Sequence, residues 1–219
     1  MVDLAKLDEV RNELGPFGAT LVAVSKTKPA SDITELIEHG QLIFGENYVQ
    51  ELNEKHDALG SAPQWHFIGS LQSNKVKFIV PYISLIHGVS SHSVLLEISK
   101  RSMQVGRTTD VLLQVHIAKE ESKSGFDSED VEAFYESFLK APLQGVSIRG
   151  LMGMATLTDD QCAVADEFQG LRRLYEKLAA FSGSDFNTLS MGMSGDYKIA
   201  LQEGSNMVRI GSLLFGSRS

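Results

Sequence analysis

The sequence predicts an α/β fold of parallel strands alternating with helices, with a single (β/α)8 TIM-type barrel and an N-terminal lead-in helix favoured. Three observations support this. Short runs rich in Val, Ile, Leu and Phe alternate with longer amphipathic stretches, the pattern of βα units around a parallel sheet. About eight such runs occur, which is the barrel number. No Pro-rich, low-complexity or linker tract divides the chain, so a single domain over residues 1–219 is expected. An open doubly wound sheet shares the same order, because periodicity does not report whether the first strand closes on the last. Both architectures place their sites at the carboxyl ends of strands.

The elements follow in order. Val2, Leu4, Leu7, Val10 and Leu14 recur at helical spacing and predict a lead-in helix ending near Gly15-Pro16, suited to plugging one end of a core. Strands are expected over Thr20–Ser25, Leu42–Gly45, Trp65–Ile68, Leu85–Val89, Val111–Ile117, Ile148–Met154, Thr188–Met191 and Met207–Ile210. Helical patterns fall between them, at Ser31–His39, His92–Met103, Ser128–Leu139 and Asp159–Phe181.

Composition narrows the function classes. With 42% hydrophobic residues and 5 prolines, the chain has the apolar surface for a core and no signature of disorder. A formal charge of −8 argues against a general nucleic-acid binder, whose affinity comes from Lys and Arg neutralising phosphates. The lone Cys162 excludes an internal disulfide and a multi-cysteine metal site; it reads as a small, partly buried side chain. The N-terminus mixes charges with apolar residues, unlike a secretory signal, and no stretch is long and apolar enough to span a bilayer. A cytoplasmic protein with no membrane or metal partner is expected.

Candidate chemistry gathers at the predicted strand ends. Leu21-Val22-Ala23-Val24-Ser25 runs directly into Lys26, setting an amine at the end of an apolar strand. Apolar surroundings disfavour the ammonium form and so promote a nucleophilic amine, although a lone lysine more often snorkels to solvent. Lys28, just before Pro29, is the better candidate for snorkelling. Asn47 can cap the second helix or reach across the mouth. His66 suits a proton carrier, a ring-stacking neighbour or a hydrogen-bonded core histidine equally. Ser73 and Asn74 read as helix caps.

The last quarter is the most informative. Ser190-Met191-Gly192-Met193-Ser194-Gly195 forms a strand end and a Ser/Gly turn, and Arg209-Ile210-Gly211-Ser212 repeats the arrangement on the next strand. Such turns offer hydroxyls and backbone amides to an anion, and phosphate sites after strands seven and eight recur in this barrel. Arg209, inside the final strand, needs a partner, since an unpaired buried guanidinium costs several kcal/mol. A salt bridge to Glu46 and a ligand contact are equally good candidates.

Taken together, these segments resemble the pyridoxal phosphate homeostasis protein family, single-domain relatives of the alanine racemase barrel. The matching stretches are Ala23–Pro29, Phe44–Glu51, Trp65–Gly69, Leu71–Lys75, Ser122–Gly125, Arg149–Met152, Leu189–Ser194 and Val208–Gly211, in order along nearly the whole chain. The resemblance implies a closed barrel that binds pyridoxal 5′-phosphate (PLP). It also implies Lys26 as the Schiff-base lysine, Ser190, Ser194, Gly211 and Ser212 at the phosphate, and Arg209 at the pyridine nitrogen. Asn47, His66 and Met152 complete the expected cofactor-binding set. Family members often carry a threonine where Ser212 stands, which preserves the hydroxyl, and many have a longer segment before the first strand.

No catalytic residue is expected. Arg209 cannot accept a proton, so it would leave the ring nitrogen unprotonated and weaken carbanion stabilisation. Racemases of the superfamily work with such an arginine, so the stronger point is that the sequence to Ser219 leaves nothing for the second domain that carries their opposing acid/base. Storage of PLP and delivery to apo PLP-dependent enzymes, in a monomer or weak homodimer, is the expected role. A racemase of weak activity, and a PLP-gated contact with a partner protein, are the alternatives. The charged loop Lys119–Gly125 reads as solvated, with the option of covering the site.

Overall fold

The computed structural model describes residues 2–119 and 125–216. Eight parallel strands close into a barrel in sequence order: β1 (Thr20–Val24), β2 (Ile43–Glu46), β3 (Gln64–Phe67), β4 (Leu85–Val89), β5 (Thr109–Gln114), β6 (Val146–Met152), β7 (Thr188–Met193) and β8 (Met207–Ile210). Closure is made by β1 on β8, with Thr20 opposite Met207 and Ala23 opposite Ile210. That decides for the barrel over the open sheet.

The helices are α1 (Leu4–Leu14), α2 (Ala30–Glu38), α3 (Val49–Leu59), α4 (Val76–Ile79), α5 (His92–Gln104), α6 (Ser128–Lys140), α7 (Gln161–Ala179), α8 (Tyr197–Gln202) and α9 (Ser212–Phe215). Local chemistry sets several ends. The Asp3 carboxylate caps α1 through the Lys6 amide at 2.9 Å, and Asp160 accepts from the Cys162 and Ala163 amides at the start of α7. Cys162 on that first turn is exposed, not partly buried as expected. Ser73 and Asn74 do not cap a helix: they lie within a 3-10 turn, Ser73–Lys75, that leads into the single turn α4.

The core has two apolar layers. The larger packs strand residues such as Ala23, Phe44, Trp65, Leu113, Leu189 and Ile210 outward against the helices. The smaller fills the barrel with Val22, Leu85, Leu112, Met152 and Met207. Alternation along each strand sends neighbouring residues to opposite layers. Leu7, Val10 and Leu14 of α1 join the outer layer with Leu214 and Phe215, and the Asp3 amide donates to the Leu214 carbonyl at 2.8 Å. The lead-in helix therefore covers the outer side of the barrel beside α9, where the sequence suggested a plug at one end.

Three strands depart from expectation by more than one residue. β6 runs from Val146 to Met152, two residues earlier than expected at both ends. β5 starts at Thr109 and ends at Gln114, after which Val115 makes only an isolated bridge with Phe126. In β7 the pairing runs from Ser190 opposite Met207 to Met193 opposite Arg209, so β7 spends one more residue than β8 over that stretch. This bulge is centred near Gly192, whose φ of +96° suits glycine, and it carries Met193 and Ser194 out over the barrel mouth.

Candidate functional site

At the carboxyl ends of β1, β2, β7 and β8 lies a cavity of about 310 Å³, within the range of small-molecule sites. Six of the residues expected from sequence line it: Lys26, Asn47, Ser194, Arg209, Gly211 and Ser212. Lys26 sits in the turn just beyond β1, half-buried at the cavity edge. Ser194 and Ser212 approach from adjacent strand ends, and the Ser194 hydroxyl accepts from the Gly211 amide at 3.3 Å, tying the two Ser/Gly junctions together. A Cβ on Gly195 would meet nothing within 4 Å, so that wall is open.

Asn47 does not cap a helix. Tyr48 precedes α3, with no side-chain cap bond, and the Asn47 carboxamide oxygen is buried with no hydrogen-bond partner. A buried acceptor left unpaired is costly, so this atom marks a place for a polar ligand group. Its position depends on Gly69, where a Cβ would come within 2.3 Å of the Asn47 carbonyl oxygen.

The other three expected residues, His66, Met152 and Ser190, lie beneath the cavity and do not line it. Met152 belongs to the apolar filling of the barrel. His66 and Ser190 are parts of a buried polar chain. Arg209 donates through Nη1 to Ser190 Oγ at 2.6 Å and through Nη2 to the Gly153 carbonyl at 3.0 Å. Ser190 Oγ lies 3.1 Å from His87 Nδ1, and His87 Nε2 lies 3.0 Å from His66 Nδ1. Arginine only donates, so the arrangement that satisfies every group runs one way. Ser190 accepts from Arg209 and gives its hydrogen to His87; His87 then carries its proton on Nε2 and donates to His66.

Burial holds both rings neutral. It pushes the His66 imidazole down to about 3, and it sets His87 well below the ordinary histidine range, with His66 and Arg209 adding to the effect. The Arg209 guanidinium, 3% exposed, is lowered to about 10 by the same loss of water, opposed by Asp196. Of the two candidate partners for Arg209, the salt bridge to Glu46 is not formed. Glu46 instead accepts from Lys55 at 2.6 Å and from the Ser25 hydroxyl at 2.7 Å, and burial raises its carboxyl above the ordinary range against the pull of Lys55. The two carboxyl-end polar clusters are thus separate.

Sequence reasoning missed His87, Lys55 and the role of Lys28. His87 carried a signal, since it is the one polar side chain in the apolar run Leu85–Val89 and shares the inward parity of Leu85. Lys28 does not simply reach solvent: its ammonium donates to the Phe215 carbonyl at 2.9 Å, closing the turn after β1 onto α9. Most of the 119–125 loop, read as solvated with the option of covering the site, and most of the matching stretch Ser122–Gly125 fall on residues 120–124, outside the described residues. Among the described residues, no cluster of three or more His, Cys, Asp or Glu is placed to hold a metal ion, and no helix is long and apolar enough to cross a membrane.

Comparison with known proteins is consistent along the whole barrel. Residues 4–219 match the family model described as alanine racemase, N-terminal domain. The pyridoxal phosphate homeostasis protein of Aquifex aeolicus is 38% identical over 201 residues, 91% of this chain and 87% of that protein. This chain belongs to the pyridoxal phosphate homeostasis protein family. The family's Escherichia coli K12 member is 37% identical over 216 residues, covering 93% of this chain and 87% of its own length. Among solved structures, PipY of Synechococcus elongatus PCC7942 without PLP superposes with a TM-score of 0.90 at 35% identity, covering 97% of this chain and 99% of PipY. The same protein with PLP bound gives a TM-score of 0.87. An alanine racemase of Clostridium difficile 630 shares the fold at 14% identity and a TM-score of 0.75, covering 99% of this chain and 57% of that one.

Proposed function

We propose that this chain holds PLP covalently through Lys26 and serves to store it and pass it to apo PLP-dependent enzymes. One observation carries the proposal: a single cavity joins an amine, Lys26, to the two Ser/Gly junctions and to a guanidinium, Arg209, at the bottom. The unpartnered Asn47 oxygen fits a ligand that brings a hydrogen-bond donor, and the open wall at Gly195 leaves room for a phosphate beside the Ser/Gly junctions. The names of the family's members and the PLP bound to PipY support the same ligand.

When bound, PLP supplies an aldehyde that condenses with a primary amine, with release of water, and an electron-withdrawing ring. In this proposal Lys26 Nζ provides the amine. The hydroxyls of Ser194 and Ser212 would hold the phosphate, and Gly211, where a Cβ would come within 3.1 Å of the Val24 carbonyl oxygen, lets β8 stay close to β1. Arg209, at the cavity floor, would face the ring nitrogen and, being unable to accept a proton, would leave it unprotonated. Ser190, His87 and His66 act through Arg209 by fixing its orientation, and Met152 supports the floor. Cytoplasmic residence, one cofactor-holding domain and a monomeric or weakly dimeric state belong to the same proposal.

Holding and turnover are separated by one experiment. Protein loaded with PLP is incubated with single-enantiomer amino acids in deuterated water, and separately with an apo-aminotransferase. The proposal expects reactivation of the apo-enzyme and Cα exchange no faster than free PLP produces. Stereo-inversion at an enzymatic rate would make this chain a racemase.

A further inference from the structure

Behind the turn that carries Lys26, on the side away from the cavity, three ionisable side chains converge from the end of β2 and the first turns of α3. Lys55 is 6% exposed, and its ammonium donates to the Ser25 carbonyl at 2.7 Å, to Glu46 Oε1 at 2.6 Å and to Glu51 Oε1 at 2.7 Å. The same carboxylates grip the turn directly. Glu46 accepts from the Ser25 hydroxyl at 2.7 Å, and Glu51 accepts from the Thr27 amide at 2.5 Å. The residues on either side of Lys26 are therefore both fastened to one ion cluster.

That turn is strained. Thr27 has φ +63°, the only non-glycine residue in the left-handed region among the described residues. A β-branched residue resists this conformation, and such strain persists only where the surroundings over-determine it. Buried ions are a poor means of gaining stability, because an apolar trio of similar size does as well or better. What this cluster supplies, and an apolar one would not, is a set of directed bonds to the Ser25 carbonyl, the Ser25 hydroxyl and the Thr27 amide.

We propose that Lys55 is a positioning residue for Lys26: with Glu46 and Glu51 it holds the strained Ser25–Thr27 turn, and the turn sets the Lys26 amine at the cavity edge. The inference rests on Lys26 being the amine that takes the cofactor. It adds that capture depends on a cluster touching neither the cavity nor the ligand. A glycine at position 27 adopts positive φ without strain, so it makes the cluster dispensable for the turn.

The test compares wild type, Lys55→Met, Thr27→Gly and the double variant by three readouts. These are the exchange rate of the Thr27 amide in protein without PLP, the rate of covalent capture of PLP at Lys26, and the urea midpoint. Capture is followed by absorbance, with borohydride trapping and peptide mapping. Lys55→Met is expected to speed Thr27 exchange and to slow capture on the order of tenfold or more, the scale of a displaced reacting group. Adding Thr27→Gly restores capture to near the wild-type rate without restoring the urea midpoint, a separation that a general loss of stability cannot produce. Capture by Lys55→Met at the wild-type rate overturns the proposal, and so does slow capture that Thr27→Gly fails to rescue. Should Lys55→Met not fold, Glu51→Ala, which removes the acceptor of the Thr27 amide, is judged by the same outcomes. If wild type takes up no PLP at Lys26, the function proposed above fails, while Thr27 exchange still decides whether Lys55 holds the turn.

Discussion

Ser190 and Ser194 look alike in sequence, both expected at the phosphate, yet the structure gives them different work, and replacing each by alanine separates the two. Ser190 Oγ is the acceptor of a 2.6 Å bond from the buried Arg209 and lies 3.1 Å from His87 Nδ1. Ser190→Ala removes a bond to a charged group, about 1.5–3 kcal/mol, and leaves a buried imidazole nitrogen without its donor, about 1–3 kcal/mol. A total of roughly 2.5–6 kcal/mol is a large share of the typical 5–15 kcal/mol of a folded domain. Ser194 Oγ makes only a 3.3 Å bond to the Gly211 amide beside the cavity, so Ser194→Ala costs about 0.5–1 kcal/mol. Urea unfolding of the protein without PLP measures both. PLP binding should change in the opposite order, with Ser194→Ala weakening affinity by about tenfold through a lost phosphate hydrogen bond. Equal, small stability losses for the two variants would refute the assignment of Ser190 to the buried chain.

Three further outcomes follow from the same geometry. Burial holds His66 down to about 3 and His87 well below the ordinary range, so the unfolded chain binds protons that the folded chain does not. Stability should therefore fall with acid below about pH 6.5, by roughly 1.4 kcal/mol per pH unit for each histidine, the His66 contribution levelling off near about 3. The raised carboxyl of Glu46 works in the opposite sense, since it favours the folded state once protonated. Urea midpoints at stepped pH for wild type and His66→Gln test the slope, which should be shallower in the variant. Gly69→Ala places a Cβ 2.3 Å from the Asn47 carbonyl oxygen, so thermal melting should show a loss of about 1–3 kcal/mol together with weaker PLP binding. Gly195→Val adds a side chain in open space at the cavity wall, so its melting temperature should match wild type while PLP titration shows weakened binding.

What the sequence made legible was local. Lys26 ends an apolar run, and Ser194 and Gly211-Ser212 sit at strand-to-helix junctions, so strand order alone puts them on one face of the barrel. What stayed hidden depends on closure and parity. Lys55 meets Ser25 across 30 residues, and His87 meets Ser190 across 103, contacts that no periodicity announces. Ser190 was placed on the right strand, but the Gly192 bulge decides that it points down to Arg209 while Ser194 faces the cavity. Glu46 was one of two candidate partners for Arg209; it goes elsewhere because β2 sits beside β1, where the Ser25 hydroxyl and Lys55 claim it.

The central claim is that Lys26 holds the cofactor, and it is tested most directly by trapping. Purified protein is mixed with PLP, reduced with borohydride, digested and mapped by mass. The account predicts one PLP-modified peptide, bearing the label on Lys26, with a visible absorbance band that disappears in Lys26→Ala. Label on Lys28 or another lysine instead, or a protein that stays colourless and unmodified, would contradict it.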